Sequence, residues 1–597
     1  MKDFESLEEE FVQYNPLVFD LDSVELTDIT KSNFDVQFSN NICFPEIKLG
    51  FHHFIHQAKD KMEATEEFGS RKKIYLVTSQ FEKNIDFKEK TDSGIDFTSI
   101  DSGIKSLIKS IKPDFPPLLN RAFLKMWEML VEFDLIPDAD NFTSSHLAEG
   151  PGSFIQATIL FRELQAKQGK IKSCSKDNYF GVTLHSDHEH LLMHQEFIKY
   201  FSKEAHKRLH IMETKSIKEL KDMYGGSKNV SSGLVTNGDL TKLNTIKQFA
   251  GSKDIESFVK PSDLVTSDGG FDWKRENLQE QEAYRLIFSE IVTALKVQKD
   301  GGNFIIKIFE SYTKITIKLI QMLRQAYGNV YIAKPYTSRV SNSEKYIVCK
   351  GYKKSIITAS IIKKLEELIH TMNKNEQYQI LDMFTDVVLS ESVYNSYKQI
   401  NNELLLKQYT GINNIIKFIN LDNYNGIEFN EYLDKQIIAA HFWNNLFLEP
   451  KLYGKITKYF KKFNFVEYRK QIEIKEVKNI KSVPVSVSVP VPVTTTEPES
   501  SIESEPESES EPDTKKKVAK GKMARTTSNK TKLKKEKINK SKKIIPIQKG
   551  GGESELSDDS DIKLFTGYDD ASINSSDEMI GRLDSDEDIH HIDLNKL

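Results

Sequence analysis

The sequence has few cysteines and no long apolar run, and these absences exclude several classes of protein. Its three cysteines, Cys43, Cys174 and Cys349, fit no CxxC pattern. A disulfide framework or a structural zinc site is therefore not expected, and a reducing compartment is the natural interpretation. No apolar stretch is long enough to span a bilayer, and the acidic first residues lack the apolar core of a signal peptide. We expect a soluble intracellular protein, cytoplasmic or nuclear, with no membrane partner.

Apolar residues are also scarce, which indicates that part of the chain is disordered. Hydrophobic residues make up 38% of the 597 residues and charged residues 29%, and the net charge is -5. This balance hides blocks of opposite sign, because residues 515–543 are rich in lysine and residues 553–588 are acidic. Such blocks bury too little apolar surface to offset the entropy of ordering. The sequence predicts a disordered tail over residues 477–597.

The lysine-rich block 515–543 has three interpretations that the sequence does not separate. It can strengthen RNA binding by releasing counterions from the phosphates. It can equally serve as a nuclear localisation signal, or as a solvated tail that the flanking acidic residues neutralise.

Residues 111–355 have the pattern of an α/β domain. Apolar strand candidates alternate there with longer helical stretches, which is typical of a largely parallel sheet. Residues 277–297 have apolar residues at helical spacing between the third and fourth candidate strands. The candidate strands end at residues 147–148, 180–184, 264–267, 304–308, 330–332 and 346–349.

The chain on either side of this domain carries less information. Residues 1–110 mix short strand-like and helical stretches, such as the apolar run at residues 73–79, and are expected to form an N-terminal accessory region. Residues 356–476 have a mainly helical pattern with no chemical motif, and are expected to form a second accessory region.

Two motifs predict loops at the ends of strands, where open α/β sheets place ligands. The first contains Glu149, Gly150, Pro151, Gly152, Ser153 and Phe154, between a strand and a helical stretch. Its glycines let a ligand approach the backbone, and its acidic residue can accept a hydrogen bond from a ligand. The second is Asp268 followed by two glycines at the end of an apolar strand. Taken alone, either motif is equally consistent with an ordinary turn.

Three further features place charged residues beside these loops. Lys307 interrupts an apolar strand, and lysine is rarely buried there without a partner or a task, although it can also reach solvent from a strand end. Arg339, Asn342 and Glu344 lie in a polar loop just before the last candidate strand, where an exposed loop is the simpler interpretation. Lys125 lies in a helical segment that starts near Asn120. Taken alone, this segment has the pattern of an ordinary solvent-exposed helix.

A histidine-rich stretch after His185 falls short of a metal motif. It is a near miss for HExxH, because Leu192 stands where the second histidine would be. A helix with solvated histidines is the simpler interpretation, so no metal is expected.

In combination, these motifs resemble the FtsJ-like RNA 2′-O-methyltransferases, and within them the adrift-type cap methyltransferases. The shared motifs run in the family's order from residue 120 to residue 352: Asn-Arg-Ala-x-x-Lys, Glu-Gly-Pro-Gly-x-Phe, Asp-Gly-Gly-Phe, Gly-Gly-x-Phe-x-x-Lys and Ser-Arg-x-x-Asn-Ser-Glu. The resemblance implies a Rossmann-like methyltransferase fold with helices on both faces of the sheet. It also implies S-adenosylmethionine as cofactor and the 5′ end of capped mRNA as substrate, with other capping or transcription proteins as partners. The composition and the tail resemble those of proteins from large DNA viruses.

The resemblance also assigns roles to individual residues. It implies a tetrad of two lysines and two carboxylates, formed by Lys125, Asp268, Lys307 and Glu344. It implies cofactor contacts at the turn that runs from Glu149 to Phe154 and, where the match is looser, at Gly238 and Asp239. It implies substrate contacts at Asn120, Asn277, Arg339 and Asn342. Ser153 departs from the pattern, because many members carry glycine at that position.

The tetrad suits methyl transfer to a ribose 2′-hydroxyl. The hydroxyl must be aligned and deprotonated, and a lysine acts as base only if its pKa falls from about 10.4 toward 7–8. Our hypothesis is that Lys307 is the base, with its pKa lowered by repulsion from Lys125, and that Lys125 and Asp268 hold and tune the hydroxyl. Glu344 would orient a lysine and limit the total charge. The alternatives are the same chemistry on ribosomal or transfer RNA, or a non-catalytic RNA-binding scaffold. A nicotinamide dehydrogenase is excluded because GxGxxG is missing.

Overall fold

The computed structural model describes residues 17–43, 45, 49–61, 79–81, 100–185, 193–202, 208–224, 235–270, 276–421 and 427–448. All of them belong to one compact unit, residues 1–488. The predicted disordered tail at 477–597, with its lysine-rich block, lies outside the described residues. So do most of the predicted strand at 73–79 and residues 186–192 of the histidine-rich stretch.

A mixed sheet lies at the centre of the described structure. The strands are β1 (Leu17–Asp20), β2 (Val36–Ser39), β3 (Thr143–Leu147), β4 (Asn178–Val182), β5 (Leu209–Ile211), β6 (Ser262–Ser267), β7 (Gln298–Ile308), β8 (Tyr327–Lys334), β9 (Lys345–Tyr352) and β10 (Gln379–Met383). Eight of them pair in the order β1-β8-β9-β7-β6-β3-β4-β5. Strands β5, β4, β3, β6 and β7 are parallel, whereas β9 is antiparallel to both of its neighbours, β7 and β8.

Helices cover both faces of this sheet. They are α1 (Leu49–Asp60), α2 (Ile100–Ile111), α3 (Ala122–Phe133), α4 (Ser153–Lys167), α5 (Gln195–Ser202), α6 (Ile217–Tyr224), α7 (Leu243–Ala250), α8 (Gln279–Val297), α9 (Lys314–Ala326), α10 (Ala359–Lys374), α11 (Glu391–Leu421) and α12 (Ile427–Phe447). Alternate side chains of a strand point to opposite faces. Accordingly, Phe304 and Ile306 of β7 pack in one core cluster with α8 and α9, while Ile305 packs in a second cluster with α3 and α4.

The predicted fold class is confirmed: the sheet is mostly parallel, with helices on both faces, as in a Rossmann-like methyltransferase fold. All six predicted strands and the helix predicted at 277–297 are present, the helix as α8. The sequence indicates a glycine turn that leads into the strand of Lys307, but Gly301 and Gly302 lie inside β7 itself. There the pairing of β7 with β6 is irregular, and Gly301 has φ +75°, which favours glycine.

The chain on either side of residues 111–355 packs against this sheet. Strand β1 pairs antiparallel with β8 at the sheet edge, and β2 pairs antiparallel with β10. The described residues 356–421 and 427–448 are mainly helical, as predicted, although β10 was not expected there. Helix α12 is anchored to α3, because the Trp127 indole donates a hydrogen bond to the Phe447 carbonyl at 2.7 Å. Within the described ranges, no helix has the length and apolarity required to cross a bilayer.

Candidate active site

The topology brings the predicted tetrad to one edge of the sheet. Strands β6 and β7 are parallel, so Asp268, just after β6, and Lys307, near the end of β7, lie at the same edge. Strand β9 runs the opposite way, with Lys307 opposite Tyr346, so Glu344 at its start reaches that edge too. Lys307 shares the face of Ile305, which is the face covered by α3, the helix that carries Lys125.

The four tetrad side chains form two ion pairs. The amine of Lys125 is 2.6 Å from Oε1 of Glu344. The amine of Lys307 is 3.2 Å from Oδ1 of Asp268 and also donates to the Asp268 carbonyl at 2.9 Å. The buried Tyr346 joins the pairs, because its hydroxyl donates to Asp268 Oδ1 at 2.9 Å and lies 3.3 Å from Glu344 Oε1. Sequence reasoning missed Tyr346, because its position opposite Lys307 depends on the pairing of β9 with β7.

The electrostatics of the site differ from our expectation for Lys307. Burial lowers the pKa of Lys307, but the charges of Asp268 and Glu344 outweigh burial and raise it above its usual value. Burial raises the pKa of Glu344, but Lys125 and Lys307 bring it down to about 2. The expected lowering of the Lys307 pKa by a second lysine is therefore wrong for the free protein, because each lysine is paired with its own carboxylate.

The glycine after Asp268 packs closely against a buried side chain. A Cβ on Gly269 would lie 2.2 Å from Oε1 of Glu290, a buried residue of α8. Burial raises the pKa of Glu290 to about 8. Glycine therefore lets a protonated carboxyl lie directly beneath the loop that carries Asp268.

The turn between β3 and α4 has features of a ligand cradle. Glu149 Oε1 accepts a hydrogen bond from the Ile155 amide at 2.9 Å, so this carboxyl caps the start of α4. Its Oε2 is buried and has no hydrogen-bond partner among the described residues. Burial raises the Glu149 pKa well above its usual value. The Phe154 ring lies in the core, 6.1 Å from the ring of Tyr346, and so joins the turn to the tetrad.

Gly238 and Asp239 line the neighbouring part of the same edge. Gly238 has φ +80°, and a Cβ there would lie 2.1 Å from the Thr183 carbonyl oxygen, so only glycine fits. The Thr183 hydroxyl accepts from the Gly150 amide at 3.2 Å, which joins this segment to the turn. Asp239 accepts from the Thr241 amide at 2.9 Å. The buried Glu149 oxygen without a hydrogen-bond partner among the described residues fits a ligand that donates a hydrogen bond, such as S-adenosylmethionine.

Asn120 is tied to the same turn. Its side-chain oxygen accepts from the Ala122 amide, which starts α3, and from the Ser153 hydroxyl, both at 2.8 Å. The serine that replaces the family's glycine therefore links the first turn of α4 to the start of the helix that carries Lys125.

The other predicted substrate residues have different surroundings. Lys334 donates to Asn342 Oδ1 at 2.8 Å and to the Glu344 carbonyl at 2.7 Å, so the loop 335–344 closes around its amine. Burial lowers the pKa of Lys334 to about 7, against the opposing charge of Glu344. Arg339 is exposed at the tip of this loop. Asn277 donates to Asp60 of α1 at 2.9 Å rather than to a tetrad residue.

Metal-ligating residues do not cluster in the described part of the chain, where no group of three or more is found. His146 is fully buried in β3 between the hydroxyls of Ser144 and Thr266. Burial lowers its pKa to about 3, so the ring is neutral and structural.

Three relatives illustrate what this chain is similar to. The Cap-specific mRNA (nucleoside-2'-O-)-methyltransferase 1A of Caenorhabditis briggsae is 34% identical over 157 residues, 25% of this chain and 17% of the relative. The Cap-specific mRNA (nucleoside-2'-O-)-methyltransferase 2 of Mus musculus is 28% identical over 278 residues, 45% of this chain and 32% of the relative. A relative named Inactive cap-specific mRNA (nucleoside-2'-O-)-methyltransferase 1B, from Caenorhabditis briggsae, is 32% identical over 157 residues, 25% of this chain and 18% of the relative.

These matches cover less than a third of each relative's length, and an inactive protein is nearly as similar as an active one. Overall similarity therefore indicates a shared domain, but it does not distinguish an active enzyme from an inactive one. The family described as FtsJ-like methyltransferase, whose methyl donor is S-adenosylmethionine, matches residues 118–352, which contain β3 to β9 and the whole tetrad. Residues 118–352 of this chain are an FtsJ-like methyltransferase domain.

Proposed function

We propose that the chain transfers a methyl group from S-adenosylmethionine to the ribose 2′-hydroxyl of the first transcribed nucleotides of capped mRNA. The observation that carries the proposal is the pairing of Lys125 with Glu344 and of Lys307 with Asp268 at one sheet edge. This edge adjoins the Glu149–Phe154 turn, since Phe154 packs on Tyr346, which contacts both carboxylates. The names of the relatives support capped mRNA as substrate.

The cofactor would lie along the turn from Glu149 to Phe154 and against Gly238 and Asp239. When bound, it supplies a methyl group on a sulfonium, which is transferred to a nucleophile without any metal. The chain supplies a buried carboxyl oxygen at Glu149 that has no hydrogen-bond partner among the described residues. The remaining catalytic task is to align and deprotonate the hydroxyl.

We assign deprotonation to Lys307. Its amine accepts the proton of the 2′-hydroxyl once it is neutral, while Asp268 holds the amine in place. Lys125, fixed by Glu344, holds the hydroxyl oxygen in line with the methyl group. Since RNA that covers the site removes water from the amine, binding adds to the effect of burial and lowers the Lys307 pKa toward neutrality.

A second candidate function is a non-catalytic RNA-binding scaffold. The similarity of this chain to a relative named as inactive supports this alternative. The paired tetrad argues for catalysis, because a scaffold has no need of two lysines held by carboxylates at the cofactor edge. The same chemistry on ribosomal or transfer RNA is the third alternative, and only the substrate distinguishes it from the cap reaction.

One experiment separates these functions. The full chain is incubated with radiolabelled S-adenosylmethionine and short RNAs that carry an N7-methylated cap, an unmethylated cap or no cap. We expect label only on capped RNA, and a loss of at least 10²-fold in Lys307→Ala, the scale of general-base assistance. Lys299→Ala is the matched control, since Lys299 lies on the same strand but pairs with Asp263.

Each alternative gives a different result. Equal label on all three RNAs would exclude cap specificity. The absence of label on every RNA, with cofactor binding intact, would favour the scaffold. Near-wild-type turnover of Lys307→Ala would eliminate the role assigned to that lysine.

A further inference from the structure

One face of α3 holds the loop 335–344 at two points besides the Lys125–Glu344 pair. Arg121, Lys125 and Glu128 are spaced four and three residues apart, so they share this face. Arg121 donates to the Thr337 carbonyl at 2.6 Å. Glu128 accepts from the Thr337 amide at 2.9 Å, from the Thr337 hydroxyl, and from the Tyr336 amide at 2.6 Å. Thr337 is therefore held at its amide and hydroxyl by α3 and at its carbonyl by Arg121, the residue that precedes α3.

The C-terminal helix α12 contacts the same carboxylate. The indole of Trp443 donates to Glu128 Oε1 at 2.9 Å, and both side chains are buried. Trp443 lies outside residues 118–352, the part of the chain that matches the family. A segment outside the methyltransferase domain therefore supplies one of the donors that hold Glu128 in position.

The fixed point at Thr337 is next to the catalytic pair. Ser338 follows it directly, and the Ser338 hydroxyl donates to Glu344 Oε1 at 3.2 Å, the same oxygen that receives Lys125. If Thr337 shifts along α3, Ser338 shifts with it, and Glu344 no longer meets Lys125 at 2.6 Å.

We propose that Glu128 is a positioning residue that holds Glu344 against Lys125, and that α12 completes this arrangement through Trp443. The inference rests on the function proposed above, because it assigns Glu128 a role in that reaction. Glu128 acts through Thr337, Ser338 and Glu344, because its own hydrogen bonds go to the loop and to Trp443 and not to the tetrad. Through Trp443, the C-terminal helix α12 would thereby take part in positioning the catalytic residues.

The test compares Glu128→Gln, Trp443→Phe and the control Glu132→Gln. Glutamine keeps the shape of Glu128 but turns an amide group toward backbone donors, whereas phenylalanine removes only the indole donor. Glu132 is one turn further along α3, is exposed, and makes no hydrogen bond or ion pair with the described residues. We expect kcat on capped RNA to fall about 10- to 100-fold in Glu128→Gln, the scale of an ångström-sized misplacement, and less in Trp443→Phe. Affinity for S-adenosylmethionine and the kcat of Glu132→Gln should stay within about twofold of wild type.

Two further measurements separate positioning from loss of structure. Glu128→Gln added to Glu344→Gln should cost little more activity than Glu344→Gln alone, because both act through one contact. Amide hydrogen exchange at Tyr336 and Thr337 should speed up at least tenfold in Glu128→Gln, a readout that does not need turnover. A wild-type protein without methyl transfer would overturn the proposed function. An active wild type with unchanged kcat and unchanged exchange in Glu128→Gln, or with fully additive losses, would overturn the positioning role.

Discussion

At the scale of single residues, the hydroxyl of Tyr346 determines how the charges of the site are linked. It contacts Asp268 and Glu344, each of which holds one lysine. The motifs predicted the four ionisable residues of the tetrad because all five motifs occur in the order that is known for the family. They did not predict which lysine pairs with which carboxylate, because pairing depends on strand direction. Tyr346, Glu128 and Lys334 were missed, since tyrosine, glutamate and lysine in an apolar stretch give no signal of their partners.

The raised pKa of Lys307 predicts a specific dependence of rate on pH. A base must be neutral, and a group with a raised pKa becomes neutral only as the pH rises toward that value. We therefore expect kcat/KM for capped RNA to increase about tenfold per pH unit on the acidic side of that pKa, through the neutral range and above. Initial rates between pH 6.5 and 9.5 would measure this slope.

The control for the pH prediction is Asp268→Asn. It removes the first of the charges that raise the Lys307 pKa, so the rise in kcat/KM should move to lower pH even if the maximum rate falls. A wild-type profile that is flat between pH 7 and 9 would contradict the assignment of Lys307 as base.

At the scale of secondary structure, helix α11 also contacts the loop 335–344, at residues different from those that α3 holds. Gln408 donates to the Ser341 carbonyl at 3.1 Å. Gly411 lies so close that an added Cβ would be 2.6 Å from Cγ2 of Val340 and 3.4 Å from the Ser341 amide nitrogen. Glycine in mid-helix normally costs stability, so close packing against the loop gives a physical reason for it here.

We expect Gly411→Ala to impair methyl transfer. Alanine adds about 1 kcal/mol of helix propensity, but the clash with Val340 forces the loop to move, and overpacking costs about 1–3 kcal/mol. We predict a roughly tenfold loss of kcat/KM for capped RNA, with unchanged affinity for S-adenosylmethionine by calorimetry. Asn414→Ala, an exposed position on the same helix, is the control. Full activity of Gly411→Ala would mean that the loop tolerates displacement from α11.

Strands and helices were predictable where their hydrophobic pattern extends over many residues. Strands β6 and β7 and helix α8 extend over enough residues for periodicity to identify them. Strands β1 and β5 have four and three residues, which is too short for alternation to show. Strand β10 lies in a segment with a helical pattern, and its partner β2 lies near the other end of the described chain, so its pairing has no local signal.

At the scale of the whole molecule, the methyltransferase domain shares its core with both flanking regions. Phe81, Ile104 and Leu107 lie in one buried cluster with Trp127 of α3 and Trp443 of α12. Strand β1 covers the edge of the sheet at β8, and unpaired edges of this kind promote aggregation. The domain boundaries drawn from composition therefore separate regions that pack together.

This packing predicts that residues 111–355 do not form a stable protein alone. Removing the flanks exposes Trp127 and the edge of β8, and large exposed apolar patches lead to association. We expect that fragment to be insoluble or to melt without a cooperative transition, and residues 1–476 to melt cooperatively and methylate RNA like the full chain. Circular dichroism and the methyl-transfer assay would measure this. Cooperative melting of 111–355 at the temperature of 1–476 would contradict the prediction.

The same truncation tests the lysine-rich block 515–543. If the block binds RNA, the full chain should lose affinity more steeply with salt than residues 1–476 do. Equal slopes would leave nuclear localisation or simple solvation as its role.

The pairing of the first strands with late ones also governs how the protein is made. Leu17 pairs with Lys334, and Val36 pairs with Met383. A ribosome adds about 5–20 residues per second, so these early strands wait roughly tens of seconds for their partners to emerge. During that interval the nascent chain carries strands with open edges, which are prone to pair with other chains. Chaperones that shield such edges until residues 327–383 have emerged should therefore raise the yield of soluble protein.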